Sequence, residues 1–218
     1  MQQSETTRKI LEAASTLFAE QGFSETTMRQ ITTHADVNLA AVNYHFGSKE
    51  RLILAVALDC VEPLVASLEA ALSERLALAG QTVSLEELMD MLMRSLLRSE
   101  HRGKDTLALL MRLLDLAYMR RQQDLRDYLN AHFGVRLQPF LAQLRKDAAP
   151  MDDDEFFWRL HFLLGAVIFT LSNYHTLAAL EPHGSNLETE IELTLHRLVP
   201  VLAGGFQARA ETTHFCWL

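Results

Sequence analysis

With 218 residues, 49% of them hydrophobic, the chain can bury a sizeable core in one large or two modest domains. Its two cysteines, Cys60 and Cys216, are too few and too unevenly placed for a disulfide scaffold, which favours a reducing cytoplasm. A net charge of -8 excludes bulk electrostatic attraction as the basis of any nucleic-acid binding. The first residues lack the basic-then-apolar order of a signal peptide. The apolar strip from Phe162 to Leu171 is short and comes after Arg159 and His161. The expectation is a cytoplasmic protein with no membrane partner.

In chain order, Ile10, Ala14, Leu17 and Phe18 recur at helical spacing from Ser4 onward. Gly22 closes that helix, and Phe23 plugs a small core beneath the second and third helices. Thr26 or Thr27 caps a second helix bearing Met28, Ile31 and Ala35, which leaves the other hydroxyl within reach of a phosphate or of a helix-end donor. A turn at Asp36, Val37 and Asn38 comes next, and Asn38 caps a third helix of Leu39, Ala40, Ala41, Val42, Asn43, Tyr44 and His45. Ala41 and Val42 pack inward, so Leu39, Ala40, Asn43, Tyr44 and His45 form an open face. That is the pattern of a helix-turn-helix whose second helix is offered to a DNA major groove. Gly47 permits a left-handed exit and Ser48 caps the next helix. Lys49 at that helix start opposes the helix dipole, and a phosphate oxygen would compensate it, although a solvated lysine fits too. Met1 to Arg51 holds five basic and six acidic residues. Affinity for double-stranded DNA must therefore come from local placement, helix N-termini and a second copy of the module.

From Lys49 a long apolar pattern runs to Leu76, with Pro63 as a bend, and Gly80 marks the first boundary after it. Ser84 and Glu87 form a capping box before Leu88, Leu92 and Leu96, and His101, Arg102 and Gly103 interrupt the pattern. Further helical stretches span Thr106–Met119, Asp124 to Leu144, Asp152 to Tyr174 and, after a break at Pro182, Gly184 and Ser185, Ile191 to Leu202. The tail from Thr212 onward carries no clear pattern. No segment alternates over strand length, so the chain reads as all-α, with about nine helices and no internal repeat. Residues 1–50 form a three-helix DNA-binding head, and residues 51–218 form a larger helical body for effector binding and dimerisation.

The helix from Glu155 to Tyr174 is apolar on almost every face, and the last helix is broadly so. Either it is an ordinary buried helix, or Phe157, Leu160, Leu164 and Ile168 meet Ile191, Leu195 and Leu198 across a two-fold axis in a homodimer. A homodimer would also place two heads one groove turn, about 34 Å, apart. Met89, Met93, Met111, Leu114, Phe133 and Phe162 can line a deformable apolar pocket for a small effector, though core packing accounts for any one methionine as well. Arg112, Arg120 or Arg121 would stand at its mouth for a carboxylate, or simply be solvated. The nine histidines are scattered, no metal-ligand spacing or phosphate loop occurs, and Cys60 beside Asp59 has no activating charge. No metal, no cofactor and no enzymatic activity are expected.

The run FAEQGFSETTMRQITTHADVNLAAVNYHFGSKERLI resembles the N-terminal DNA-binding domain of the TetR family of repressors. Its segment VNLAAVNYHFGSK resembles the PsrA-like subgroup, regulators that sense long-chain fatty acids or their acyl-CoA esters. The resemblance implies that Thr27, Tyr44, His45 and Lys49 touch DNA, mainly its backbone, and that Phe46 is a core aromatic. Most members have Gly where this chain has Ala40, and Tyr where it has Asn43, an amide that can bond adenine in bidentate fashion. The expected function is a ligand-responsive repressor released from a palindromic operator by an apolar effector. The alternative is a helical lipid-binding or lipid-processing protein without DNA binding, which would have no use for the polar face of Asn43, Tyr44 and His45.

Overall fold

The structure, a computed structural model, describes residues 4–78, 82–100, 106–180 and 190–209. The expectations placed on Gly80, on His101 to Gly103, on Pro182 to Ser185 and on the tail from Thr212 lie outside them. The described residues form ten helices and no strand. These are α1 (Glu5–Gln21), α2 (Met28–His34), α3 (Leu39–Phe46), α4 (Lys49–Ala77), α5 (Leu85–Glu100), α6 (Thr106–Tyr118), α7 (Gln123–Asp147), α8 (Asp153–Ser172), α9 (Tyr174–Leu180) and α10 (Glu190–Gln207). The helix beyond those expected from sequence comes from Asn173. Its backbone and side-chain N–H groups both donate to the Phe169 carbonyl, the side chain at 2.9 Å, which ends α8 before Tyr174 starts α9.

The chain folds into two compact units. One comprises Met1–Ser67 with Ser95–Arg136, the other Leu68–Arg94 with Leu137–Leu218. The boundaries fall inside α4, α5 and α7, two of them close to Pro63 and Pro139, the prolines within α4 and α7. In the first unit Ile10, Ala14 and Phe18 of α1, Ile31 of α2, Val42 of α3, Leu52 and Val56 of α4, and Leu110 and Leu113 of α6 are wholly buried. Phe23 plugs this core as its position suggested, with its ring centroid 4.8 Å from that of Phe18.

In the second unit Leu85, Leu88 and Met89 of α5, Leu144 of α7, Leu163 and Val167 of α8, and Leu195, Leu202, Ala203 and Phe206 of α10 make the core. The Ser84–Glu87 capping box forms. Glu87 also takes a two-pronged bond from Arg75, Nε to Oε1 at 2.9 Å and Nη2 to Oε2 at 3.1 Å. Asp147 at the end of α7 accepts from Leu85 N–H at 2.8 Å, and its carbonyl accepts from the Gln207 side chain at 2.8 Å. The turn before α8 is thereby tied to α5 and α10.

Residues Asp153–Ser172, with mean hydropathy 1.3, are long and apolar enough by length and composition to cross a membrane. The charge-interrupted strip expected from sequence understates this helix. Its inward stripe, Arg159, Leu163, Val167 and Leu171, packs within its own unit, with the arginine bonded there to α10.

Candidate nucleic-acid interface

Each helix of the head begins on a side-chain cap. Ser4 Oγ accepts from Thr7 N–H at 3.1 Å. Thr27 forms a capping box with Gln30, and Asn38 Oδ1 accepts from Ala41 N–H at 2.8 Å. Ser48 Oγ accepts from Arg51 N–H at 3.2 Å at the start of α4. The turn between α2 and α3 needs Asp36 at a φ of 53°, a left-handed position that aspartate tolerates. Gly47 ends α3 at a φ of 78°, where its N–H still reaches the Asn43 carbonyl at 2.9 Å. A Cβ there would meet nothing closer than 3.9 Å, so backbone conformation and not space selects glycine.

These caps fix how α3 rotates. Val42 is fully buried while Asn38, Leu39, Ala40, Asn43, Tyr44 (86% exposed) and His45 are open to solvent. The open face expected from sequence is therefore present, with Ala41 half-buried beside Val42. Thr27 is exposed and acts as the cap. Thr26 departs from expectation, since it is fully buried and its hydroxyl donates to the Gly22 carbonyl at 2.7 Å, with the Leu17 carbonyl next at 3.2 Å. It has no reach to a phosphate and instead ties the end of α1 to the start of α2. Lys49 Nζ stands 3.5 Å from the Ser24 carbonyl, too long for a strong bond, so the ammonium keeps donors for an anion. Beside it, the backbone N–H and Ser48 hydroxyl, with a smaller contribution from the Lys49 charge, hold the Glu50 carboxyl below its usual range.

One contact of this interface has no signal in the sequence. Thr7 Oγ1 lies 3.3 Å from His45 Nδ1, linking the first turn of α1 to the last turn of α3.

The residues considered for an effector pocket are distributed differently from expectation. Met89 and Met93 are buried in the second unit, Met111 and Phe133 in the first, and Leu114 there is half-buried. Phe162 is 66% exposed. The neighbouring Leu163 takes the inward position on α8, and one residue turns the helix by about 100°. Arg112 is exposed on α6, its Nη1 3.1 Å from where a Cβ on Gly22 would stand, so it lies against the end of α1. Two clefts of the first unit, about 650 and 580 Å³, are lined by mixed polar and apolar residues. Arg121 borders the larger, and Glu12, Asp59 and Glu62 border the smaller.

Of the residues considered for dimerisation, Phe157 is exposed and Leu160, Leu164, Ile168, Ile191 and Leu198 are half-buried. Leu195 is fully buried, because Leu195, Leu202 and Phe206 form the inward stripe of α10 and cannot meet a partner. The exposed apolar face instead carries Trp158, stacked on Phe162 at 6.1 Å, with Phe169 on α8 and Leu193 and Val201 on α10. Among the described residues no group of His, Cys, Asp or Glu is arranged to hold a metal ion. Burial, with the Asp59 charge, pushes the Cys60 thiol up to about 12, the opposite of an activated nucleophile.

Residues 10–56 match the family described as bacterial regulatory proteins, tetR family, and residues 90–205 match the tetracyclin repressor-like C-terminal domain. The HTH-type transcriptional repressor NicS of Pseudomonas putida is 31% identical over 180 residues, covering 82% of this chain and 82% of NicS. The probable HTH-type transcriptional regulator YttP of Bacillus subtilis is 34% identical over 86 residues, which span 39% of this chain and only 38% of YttP. Among solved structures, the fatty acid degradation regulator FadR from Bacillus halodurans shares the fold with a TM-score of 0.67 at 15% identity, covering 96% of this chain and 100% of that one. A TetR family transcription regulator from Marinobacter aquaeolei VT8 does so with a TM-score of 0.63 at 17% identity, covering 94% of this chain and 96% of the other. A helix-turn-helix head on an all-helical body defines a DNA-binding transcriptional regulator and not an enzyme. The chain belongs to the TetR family.

Proposed function

We propose that the protein is a ligand-responsive repressor that binds a palindromic operator as a homodimer and leaves it when an apolar effector, a long-chain fatty acid or acyl-CoA ester, enters the body. The carrying observation is the α3 face, on which Leu39, Ala40, Asn43, Tyr44 and His45 are exposed while Val42 locks the helix into the core. In this reading residues 1–50 read DNA and residues 51–218 bind effector and partner. Asn43 contacts a base edge, whereas Thr27, Tyr44, His45 and Lys49 contact the backbone, with Asn38 setting the N-terminus of α3 at the groove. The partner copy covers the α8 and α10 face, where Phe157, Trp158, Phe162 and Phe169 expose aromatic surface that a lone subunit leaves in water. Repression is supported by the likeness to NicS, which is a repressor. The effector class rests on the resemblance of VNLAAVNYHFGSK to fatty-acid-responsive regulators and on the three methionines of α5, Met89, Met91 and Met93.

A three-part experiment tests the proposal. Selection from a random duplex pool should return a palindrome, and Asn43→Ala should relax the preference at one base of each half-site. Release of that duplex by saturated acyl chains should strengthen with chain length, each methylene contributing about 0.8 kcal/mol until the pocket is full. If no acyl chain releases DNA, free or as a CoA ester, while a rigid aromatic compound does, the effector class is wrong and the repressor stands.

A further inference from the structure

We infer that Thr7, held by Ser4, is a positioning residue that sets the tautomer of His45 and so turns the far ring nitrogen of that histidine into a hydrogen-bond donor for a DNA phosphate. The inference rests on the DNA-binding reading of α3 and adds to it a residue of α1 that no motif in the head identifies.

Three contacts form a line. Ser4 Oγ accepts from Thr7 N–H at 3.1 Å, Ser4 Oγ and Thr7 Oγ1 are 2.8 Å apart, and Thr7 Oγ1 is 3.3 Å from His45 Nδ1. Either hydroxyl can donate across the Ser4–Thr7 contact, because an oxygen that accepts one N–H keeps a second lone pair. In the order we assign, Ser4 donates to Thr7 Oγ1 and Thr7 donates to His45 Nδ1. A neutral imidazole that accepts at Nδ1 carries its proton on Nε2, across the ring. The reverse order would make Nε2 an acceptor, and a lone pair facing a phosphate oxygen is repelled. Of the two orders, the one we assign gives the tautomer that can donate to a phosphate, and the ring-nitrogen spectrum of His45 distinguishes them.

The neighbouring charges of α1 pair along their own helix, Glu5 with Lys9 at 3.5 Å and Arg8 with Glu12 at 2.6 Å, so the hydroxyl of Thr7 makes this link to α3. The ring of His45 also meets that of Tyr44 in an edge contact with centroids 5.2 Å apart. In a head with no surplus of basic residues, each phosphate contact must be aimed, and a tautomer fixed before binding is one way to aim it.

The test compares Thr7→Val, which removes the hydroxyl but keeps the backbone N–H that Ser4 caps, with Thr7→Ser, which restores a hydroxyl. Each is made in the full chain, alone and together with His45→Ala. The ring-nitrogen spectrum of His45, followed with rising pH until it no longer changes so that the neutral ring is read, should show Nδ1 as acceptor in the parent and in Thr7→Ser, and a solvent-like mixture in Thr7→Val. Affinity for the duplex that the parent protein selects from a random pool should fall about fivefold in Thr7→Val, recover in Thr7→Ser, and not change further when Thr7→Val is added to His45→Ala. An unchanged nitrogen spectrum in Thr7→Val overturns the inference, as does an equal loss of affinity with and without His45. Recovery of no duplex by the parent would overturn the DNA reading and with it the phosphate role of Nε2. The spectrum, which needs no DNA, would still decide whether Thr7 sets the tautomer.

Discussion

Arg159 of α8 donates from Nη1 to the carbonyl of Gly205 in α10 at 2.6 Å. The same nitrogen reaches the Ala208 carbonyl at 2.5 Å, and Nε donates to Glu155 at 2.7 Å. The last carbonyls of a helix have no partners within it and lie at its negative end, so a buried guanidinium there satisfies acceptors and dipole together. A single arginine fixes the C-terminus of α10 against α8, the two helices whose outer faces we assign to the dimer.

Replacing Arg159 with Ala should lower stability by about 2–3 kcal/mol, because the carbonyls lose a charged donor and Glu155 loses its partner. Arg159→Lys should recover only part of this, since an ammonium cannot fork between acceptors in the same plane. Urea unfolding of the two variants gives both numbers, and equal losses would show that the guanidinium's fork, not its charge, carries the contact.

Gly165 on α8 separates folding from association. A Cβ built there meets nothing within 4 Å, so Gly165→Leu should fold and gain roughly 0.5–1 kcal/mol from better helix propensity. If a partner helix packs over this face, the added side chain blocks it. Sedimentation should then show the parent as a dimer and Gly165→Leu as a folded monomer. A variant that dimerises as well as the parent would move the interface elsewhere.

Acid should weaken the α4–α5 connection through Glu87. The Arg75 side chain, then the Ser84 backbone N–H, hold the Glu87 carboxyl below its ordinary value of 4.5. A depressed folded-state value gives stability that is present above the ordinary carboxyl range and is lost as pH falls through the depressed value. Glu87→Gln should flatten that part of the stability profile below about pH 4.5, with no change in shape near neutrality. Denaturation curves across the acid range for parent and variant make the comparison.

At the alkaline end the sign reverses. Cys60 is raised from 9.0 to about 12 by burial first and by Asp59 second, so the folded protein keeps the thiol protonated where the unfolded chain would lose the proton. Cys60 therefore costs no stability below about pH 9 and an increasing amount from there towards 12. In a Cys216→Ser background, a thiol reagent at pH 8 should label Cys60 only at the rate of unfolding. Prompt labelling of the native protein would mean that the thiol is open to solvent.

Sequence by itself determined what is local. Asn38, Ser48 and Ser84 with Glu87 cap the helices that their positions announce, and Thr27 takes the cap that the sequence left between Thr26 and Thr27, because a cap finds its donor within three residues of chain. The open face of α3 was legible for the same reason. Val42 is the buried residue of a short helix whose other positions include Asn43, Tyr44 and His45, and that polarity marks which side is out. Where a helix is apolar all round, this mark is missing. The α8 sequence does not say that Leu163 turns in and Phe162 out, nor does the α10 sequence say that Leu195 lies beneath the surface. Only neighbours fix the rotation of such a helix. The Thr7–His45 and Arg159–Gly205 contacts, and the placement of Arg112 beside Gly22, join positions far apart in the chain. They exist because tertiary packing brings α1 to α3, α8 to α10 and α6 to α1, and no local spacing encodes the hydrogen bonds and close contacts made across such junctions.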